Sequence, residues 1–338
     1  MTSECIVAAR AVAWAEAAND PGSALLAWWN WARALQFQGD CAIAQSRTEQ
    51  CLALAREVGD RRIESTSLAQ LGILAKQVGH FGLGRGYYQQ ALALARTIGD
   101  RGIEGSMLNN LGDIERFLGN YGAALELFHA SRRVCREIGQ RMSESYALCN
   151  MAHVAFLQGD STKALEWTTH ALDTAQELKD RDLEASLQNT RAHACASLGR
   201  NDEAVACYRE AVNTSREIGR PTMPPEPLAG LARLALARGA LGEAMHLVAD
   251  INAHYDAGGT VDGTEDPLWI YLTCHQVLAA ANAPRAAEFL HQAHAMLMQR
   301  AAPLSEAERA TFLGNVPSHR AIVAARQAAY PRNDDERS

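Results

Sequence analysis

Asp113, His153 and His193 stand forty residues apart, and two imidazoles with one carboxylate are a ligand set that non-haem iron accepts. Every ligand of such a site must reach to within ~2.0–2.2 Å of one ion. If each of the three sits on its own helix in a stack, neighbouring axes lie ~8–10 Å apart and the outer two residues nearly ~20 Å apart. The expectation is therefore no metal site. His291 and His294 share a helix face without a third ligand and read as solvated. The run Gly82-Leu-Gly-Arg-Gly86 opens a helix with no strand before it, and no G-x-x-x-x-G-K-[ST] run occurs, so no nucleotide cofactor is expected. The acidic stretch Asp256–Asp266 lacks EF-hand spacing and reads as a polar loop. The sequon Asn213-Thr-Ser matters only on an exported chain. With no nucleophile–base pair at a turn, no catalytic residue is assigned, and the expectation is a binding protein, not an enzyme.

A second set of residues points to binding. Asn109, Asn110, Asn150 and Asn189 recur inside helical patterns, although asparagine is a mediocre helix former. A side-chain amide both donates and accepts, which suits clamping the backbone of an extended peptide. Bonds to neighbouring helices or to water are the alternative. Arg33, Lys76, Arg116 and Arg233 suit carboxylates or phosphates.

The elements that position these residues follow from a period of forty. Glycine recurs at 39, 79, 119, 159, 199 and 239. With 25 glycines in 338 residues, six at one phase arise by chance with a probability on the order of 10⁻⁷, so the repeat is real. Glu64, Glu104, Glu144 and Glu184 form a second series; Gly59, Gly99, Gly139 and Gly219 form a third, interrupted by Lys179. Within one unit, Ile103, Met107, Leu108, Leu111 and Ile114 trace a first helix that Gly119 ends. Ala124, Leu127, Phe128, Ser131 and Cys135 trace the second, ending at Gly139. Glutamate in the first turn complements the positive end of the helix dipole. Such hairpins bury their apolar faces only by stacking on one another.

Leu108, Leu111, Gly112, Ala124, Phe128 and Ser131 match the consensus offsets of the tetratricopeptide repeat, and on these residues the chain resembles that family. The unit of about forty residues is longer than usual. It resembles the C-terminal repeat arrays of large bacterial ATP-binding transcriptional activators and nucleotidyl-cyclase-linked regulators. The resemblance implies an all-α, right-handed superhelix of antiparallel hairpins. Residues 1–19 would be a partial repeat or N-terminal cap, 20–258 six hairpins, and 259–302 a loop and diverged seventh hairpin. Residues 303–330 would be capping helices, opened by Ser305, and 331–338 a disordered tail.

In this family the first helices line a concave groove. The offsets carry Trp29, Asn30, Arg33, Lys76, Asn109, Asn110, Asp113, Arg116, Tyr146, Asn150, His153, Asn189, His193 and Arg233 onto that wall. Trp28 and Trp31 fall in core slots. The implied partner is a peptide or protein segment, read out in bacterial signalling or transcriptional regulation. The alternatives are a self-associating scaffold and, further off, a small-molecule receptor or enzyme built on the His/Asp/Arg cluster.

Composition agrees with a folded binding module. Hydrophobic residues make up 48% and charged residues 21%, enough for a core. A net charge of −7 argues against direct nucleic-acid binding. The most apolar segment, 24–35, is broken by Asn30 and Arg33 and falls short of the ~20 residues of a membrane span. The eight cysteines form no C-x-x-C pair. With no basic leader and apolar core at the N-terminus, a reduced cytoplasm is expected.

Overall fold

Two local devices recur along the hairpins, a left-handed residue that ends a helix and, at several starts, an aspartate that caps the next. The computed structural model describes residues 41–218, 225–256 and 264–330, with Ala27 and Asn30. The expectations for residues 1–19, Trp28, Trp29, Trp31, Arg33, most of the 256–266 loop and the tail lie outside the described residues. Gly59, Gly79, Gly99, Gly119, Gly139, Gly159, Gly199 and Gly239 all turn with φ between 71° and 86°, where a side chain is strained. Lys179 takes the same conformation, φ 56°, in the slot where its siblings are glycine.

Fifteen helices result among the described residues, and no strand. They are α1 (Cys41–Val58), α2 (Arg61–Gln77), α3 (Phe81–Ile98), α4 (Arg101–Phe117), α5 (Tyr121–Glu137), α6 (Arg141–Leu157), α7 (Ser161–Leu178) and α8 (Arg181–Ser197). There follow α9 (Asn201–Glu217), α10 (Pro225–Ala237), α11 (Leu241–Asp256), α12 (Pro267–Ala280), α13 (Ala286–Ala301), α14 (Glu306–Asn315) and α15 (Pro317–Ala329). None of the described helices is long and apolar enough to cross a membrane. The even-numbered helices from α2 to α12 are the first helices of successive hairpins. Asp60, Asp100 and Asp180 cap three of them, each carboxylate accepting an amide hydrogen from the first turn; such a cap contributes about 1 kcal/mol. Ser305 and Glu308 form a reciprocal capping box ahead of α14.

The glutamate series does more than face a dipole. Glu64 is clasped by Arg56 and Arg61, Glu104 by Arg96 and Arg101, and Glu184 by Arg181. Beyond them Arg101 meets Glu137, Arg141 meets Glu177, and Arg181 meets Glu217. The latter pairs are exposed and contribute little each.

The chain divides into two compact units. Unit 1 comprises residues 1–114 with 130–140, and unit 2 comprises 115–129 with 141–338. In unit 1, α2 packs between α1 and α3. Ser65 donates to the Ala91 carbonyl at 2.9 Å and Ser131 to that of Gly105 at 2.8 Å, the same two slots with the donor on opposite helices. In unit 2 the first helices α6, α8, α10 and α12 touch in sequence and form an inner row, with α7, α9, α11 and α13 outside. The capping helix α15 closes on α12, α13 and α14. One slot of the second helices, Tyr88, Phe128, Thr168, Tyr208 and Val248, is at most 1% exposed throughout. Where that slot holds tyrosine the ring lies against a glycine, one of the same hairpin for Tyr88 and one of the next hairpin for Tyr208. A Cβ on Gly72 would lie 2.5 Å from the Tyr88 ring, and one on Gly230 would lie 2.3 Å from that of Tyr208.

Candidate functional site

The first helices of the hairpins carry the residues singled out by type and spacing. In unit 1, Lys76 donates to Asp113 at 2.5 Å across one repeat step, and both side chains are largely buried. Tyr88, fully buried, lies close enough to Asp113 that burial first and the carboxylate second push its phenol well above the ordinary range. Along the same face, one turn earlier, Asn109 and Asn110 are half-buried and Ser106 is exposed. Asn30 is an exposed helical residue.

In unit 2 the wall is covered by the chain itself. Arg116 is only 4% exposed; its guanidinium lies over the Phe117 ring and donates to Glu265 at 2.7 Å. His153, also buried, presents Nδ1 to the same Glu265 oxygen at 3.6 Å. The Phe156 ring stands between His153 and His193, 6.3 Å from the first and 5.3 Å from the second. Trp269 stacks at 5.4 Å on His193 and 5.7 Å on Phe156, and Arg233 lies over the indole. Arg233 also donates to the Thr273 hydroxyl at 2.8 Å.

His193 is held on every side. Its Nδ1 is 2.6 Å from the Tyr208 hydroxyl, and its Nε2 faces the Asn189 amide nitrogen at 3.3 Å and Glu226 at 3.7 Å. Burial lowers its pKa below the ordinary imidazole range, so the ring is neutral, with one N–H and one lone pair to share. Burial likewise raises Tyr208 to about 12. Asn189 is buried, and its Oδ1 has no hydrogen-bond partner among the described residues. Tyr146, by contrast, is exposed on the rim; burial of its ring and the neighbouring Asp180 raise its phenol. Asn150 is half-buried.

The expectation of one open trough therefore meets two situations. Asn109, Asn110, Asn150, Tyr146, Lys76 and Arg233 retain exposure, whereas Asp113, Arg116, His153, Asn189 and His193 are buried. In unit 2 the physical reason is reach: the seventh hairpin brings Trp269 back over first helices two and three repeats earlier, and Glu265 over those three and four repeats earlier. Both residues went unassigned in the sequence, yet the period reaches Trp269. Trp269 continues the column of Trp29, Asn109 and Asn189, and Thr273 continues that of Asp113, His153, His193 and Arg233.

The family model described as tetratricopeptide repeat matches residues 23–97, 103–177 and 142–217. No curated protein sequence matches the chain. Among solved structures, the Rap conjugation gene regulator of plasmid pLS20 with a Phr peptide is 13% identical, with a TM-score of 0.65, covering 84% of this chain and 78% of that one. NprR with its cognate peptide NprX is 14% identical, TM-score 0.63, covering 92% and 84%. Aspartyl phosphate phosphatase F from Bacillus subtilis is 11% identical, TM-score 0.60, covering 81% and 71%. At these identities the likeness is one of fold.

Proposed function

Because the chain belongs to the tetratricopeptide repeat family, we propose that it is a peptide-binding regulatory module, a cytoplasmic sensor or adaptor in bacterial signalling, and not a catalyst. The observation that carries this reading is the adjacent pair Asn109 and Asn110, half-buried on a first helix beside the Lys76–Asp113 ion pair. Two side-chain amides one residue apart offer donors and acceptors to a peptide backbone, and the ion pair beside them fixes the wall they project from. Two of the similar structures hold peptides, and one of those is a conjugation gene regulator, which supports the same class of role.

The test is selection from a random peptide library on the intact chain, repeated with Asn109→Ala/Asn110→Ala. Alanine is the better helix former, and a thermal melt checks that the variant folds as the parent does. Peptides enriched by the parent and lost by the variant are the expected result. No enrichment, or enrichment indifferent to the two asparagines, overturns the proposal.

A further inference from the structure

Three breaks in the forty-residue period line one pocket of unit 2. The last turn of the second helices carries arginine at 56, 96, 136 and 216, but glutamine at 176. The residue that ends those helices is glycine at 59, 99, 139 and 219, but lysine at 179, where φ is 56°. The slot of Leu68, Leu108, Leu148 and Leu228, all buried, holds the half-buried Gln188. Gln176 and Lys179 stand at the end of α7 and Gln188 midway along α8. With Thr214 of α9 they line an open pocket of about 500 Å³, a size usual for small-molecule sites.

Each break costs the fold something. Arg56 and Arg96 donate to Glu64 and Glu104 at 3.0 and 2.9 Å; Gln176 brings no charge to the equivalent Glu184. A lysine backbone at positive φ is strained where glycine is not. An amide in a leucine slot forgoes the burial of an apolar side chain. Thr214 adds a fourth cost: it is 1% exposed, and its Oγ1 has no hydrogen-bond partner among the described residues. A buried hydroxyl left so is unfavourable until something supplies the bond. Local rules broken together at one pocket, and kept in the sibling repeats, point to a ligand.

The charges on the pocket walls select its class. Arg181 is already paired with Glu184 and Glu217. Lys179 on one wall and Glu210 on the other form no ion pair among the described residues. An ammonium and a carboxylate that face a common space without meeting complement a molecule that carries one of each. An ion of single sign would be attracted by one wall and repelled by the other. Between them Gln176, Gln188 and Thr214 offer neutral donors and acceptors. We propose that this pocket binds a free zwitterionic amino acid with an uncharged polar side chain, its carboxylate toward Lys179 and its ammonium toward Glu210. None of the residues assigned to the peptide takes part, so the inference stands independently of the reading above.

The experiment is calorimetric titration of the full chain with L-glutamine, L-asparagine and L-serine, and with N-acetyl-L-glutamine amide, which lacks both charges. The variant Gln176→Arg/Lys179→Gly/Gln188→Leu returns the three slots to their siblings' residues. It is expected to melt no lower than the parent and to lose the site. A charge-assisted bond is worth roughly tenfold or more in affinity. At least one of the three amino acids should bind the parent at least about tenfold more tightly than the blocked amide binds it, and at least about tenfold more tightly than it binds the variant. If the triple variant gives no cooperative melt, Lys179→Gly, which only relieves backbone strain, is titrated in its place with the same expectation. No binding of any of the three, equal binding of the blocked amide, or binding unchanged in the variant overturns the proposal.

Discussion

Lys76 and Arg116 occupy the same slot one repeat apart, and their partners differ in reach. Lys76, in unit 1, pairs with Asp113 on the next first helix; Arg116, in unit 2, pairs with Glu265, almost 150 positions along the chain. The same contrast holds for the buried tyrosines. Tyr88 senses Asp113, the residue one repeat on, whereas Tyr208 bonds a histidine that Trp269 also covers. Contacts of the first kind are those of a simple repeat array, in which stability is a sum over neighbours. Contacts of the second kind couple several repeats at once, and they use up side chains that would otherwise face a ligand. A single repeat pattern thus yields a nearest-neighbour wall in one unit and a filled one in the other.

The largest expected effect comes from removing the residue that fills unit 2. Trp269→Ala should cost about 3 kcal/mol, since its ring is stacked on two others and covered by Arg233. Amide exchange should show the loss spread over α6, α8 and α10 and absent from α2; a loss confined to α12 would break the comparison. Next, Gly230→Ala and Gly72→Ala both drive a methyl into a tyrosine ring, and each should destabilise by about 2 kcal/mol in thermal melts. Gly122→Ala, which meets nothing within 4 Å, serves as the control and should not destabilise.

Acid should separate the units as well. His193, facing Glu226, Arg233, Asp266 and Tyr208, and His319, facing Asp266, Arg300 and the Phe312 carbonyl, have folded pKa values pushed by burial below the ordinary 6.5. The unfolded chain binds their protons first as pH falls, so these groups cost nothing well above that value and reduce stability progressively below it. Exchange protection in α8 and α12 should therefore fall between about pH 7 and pH 5.5, relative to α2 and α3 of unit 1. Equal loss in both units would contradict the assignment. The smallest effect is a gain: Lys179→Gly, which frees a left-handed position, should raise stability by about 1 kcal/mol.

Much of this was legible in the forty-residue period. Glycine slots 59, 79, 99 and onwards marked helix ends, and the break at Lys179 marked a strained residue rather than a different turn. The consensus slots of Leu108, Leu111, Ala124 and Phe128 foretold core positions, because local steric demands repeat with the sequence. The filling of unit 2 was not legible in the same way. Trp269 lies on the period and Glu265 does not, and whether a residue faces solvent or a helix three repeats away depends on how curvature accumulates, which no single repeat encodes. Arg116, His153 and His193 were therefore singled out by their column without their partners. The asparagines at 109 and 110 could be assigned to a wall, but not a ligand to them.

Chemical footprinting of histidines tests the filled wall most directly. Diethyl pyrocarbonate applied to the native chain, with modified peptides read by mass spectrometry, should spare His153, His193 and His319 while labelling the exposed His80, His129, His170, His246 and His291. Trp269→Ala should then unmask His193. Labelling of His153 and His193 in the parent chain at the rate of the exposed set would contradict the account.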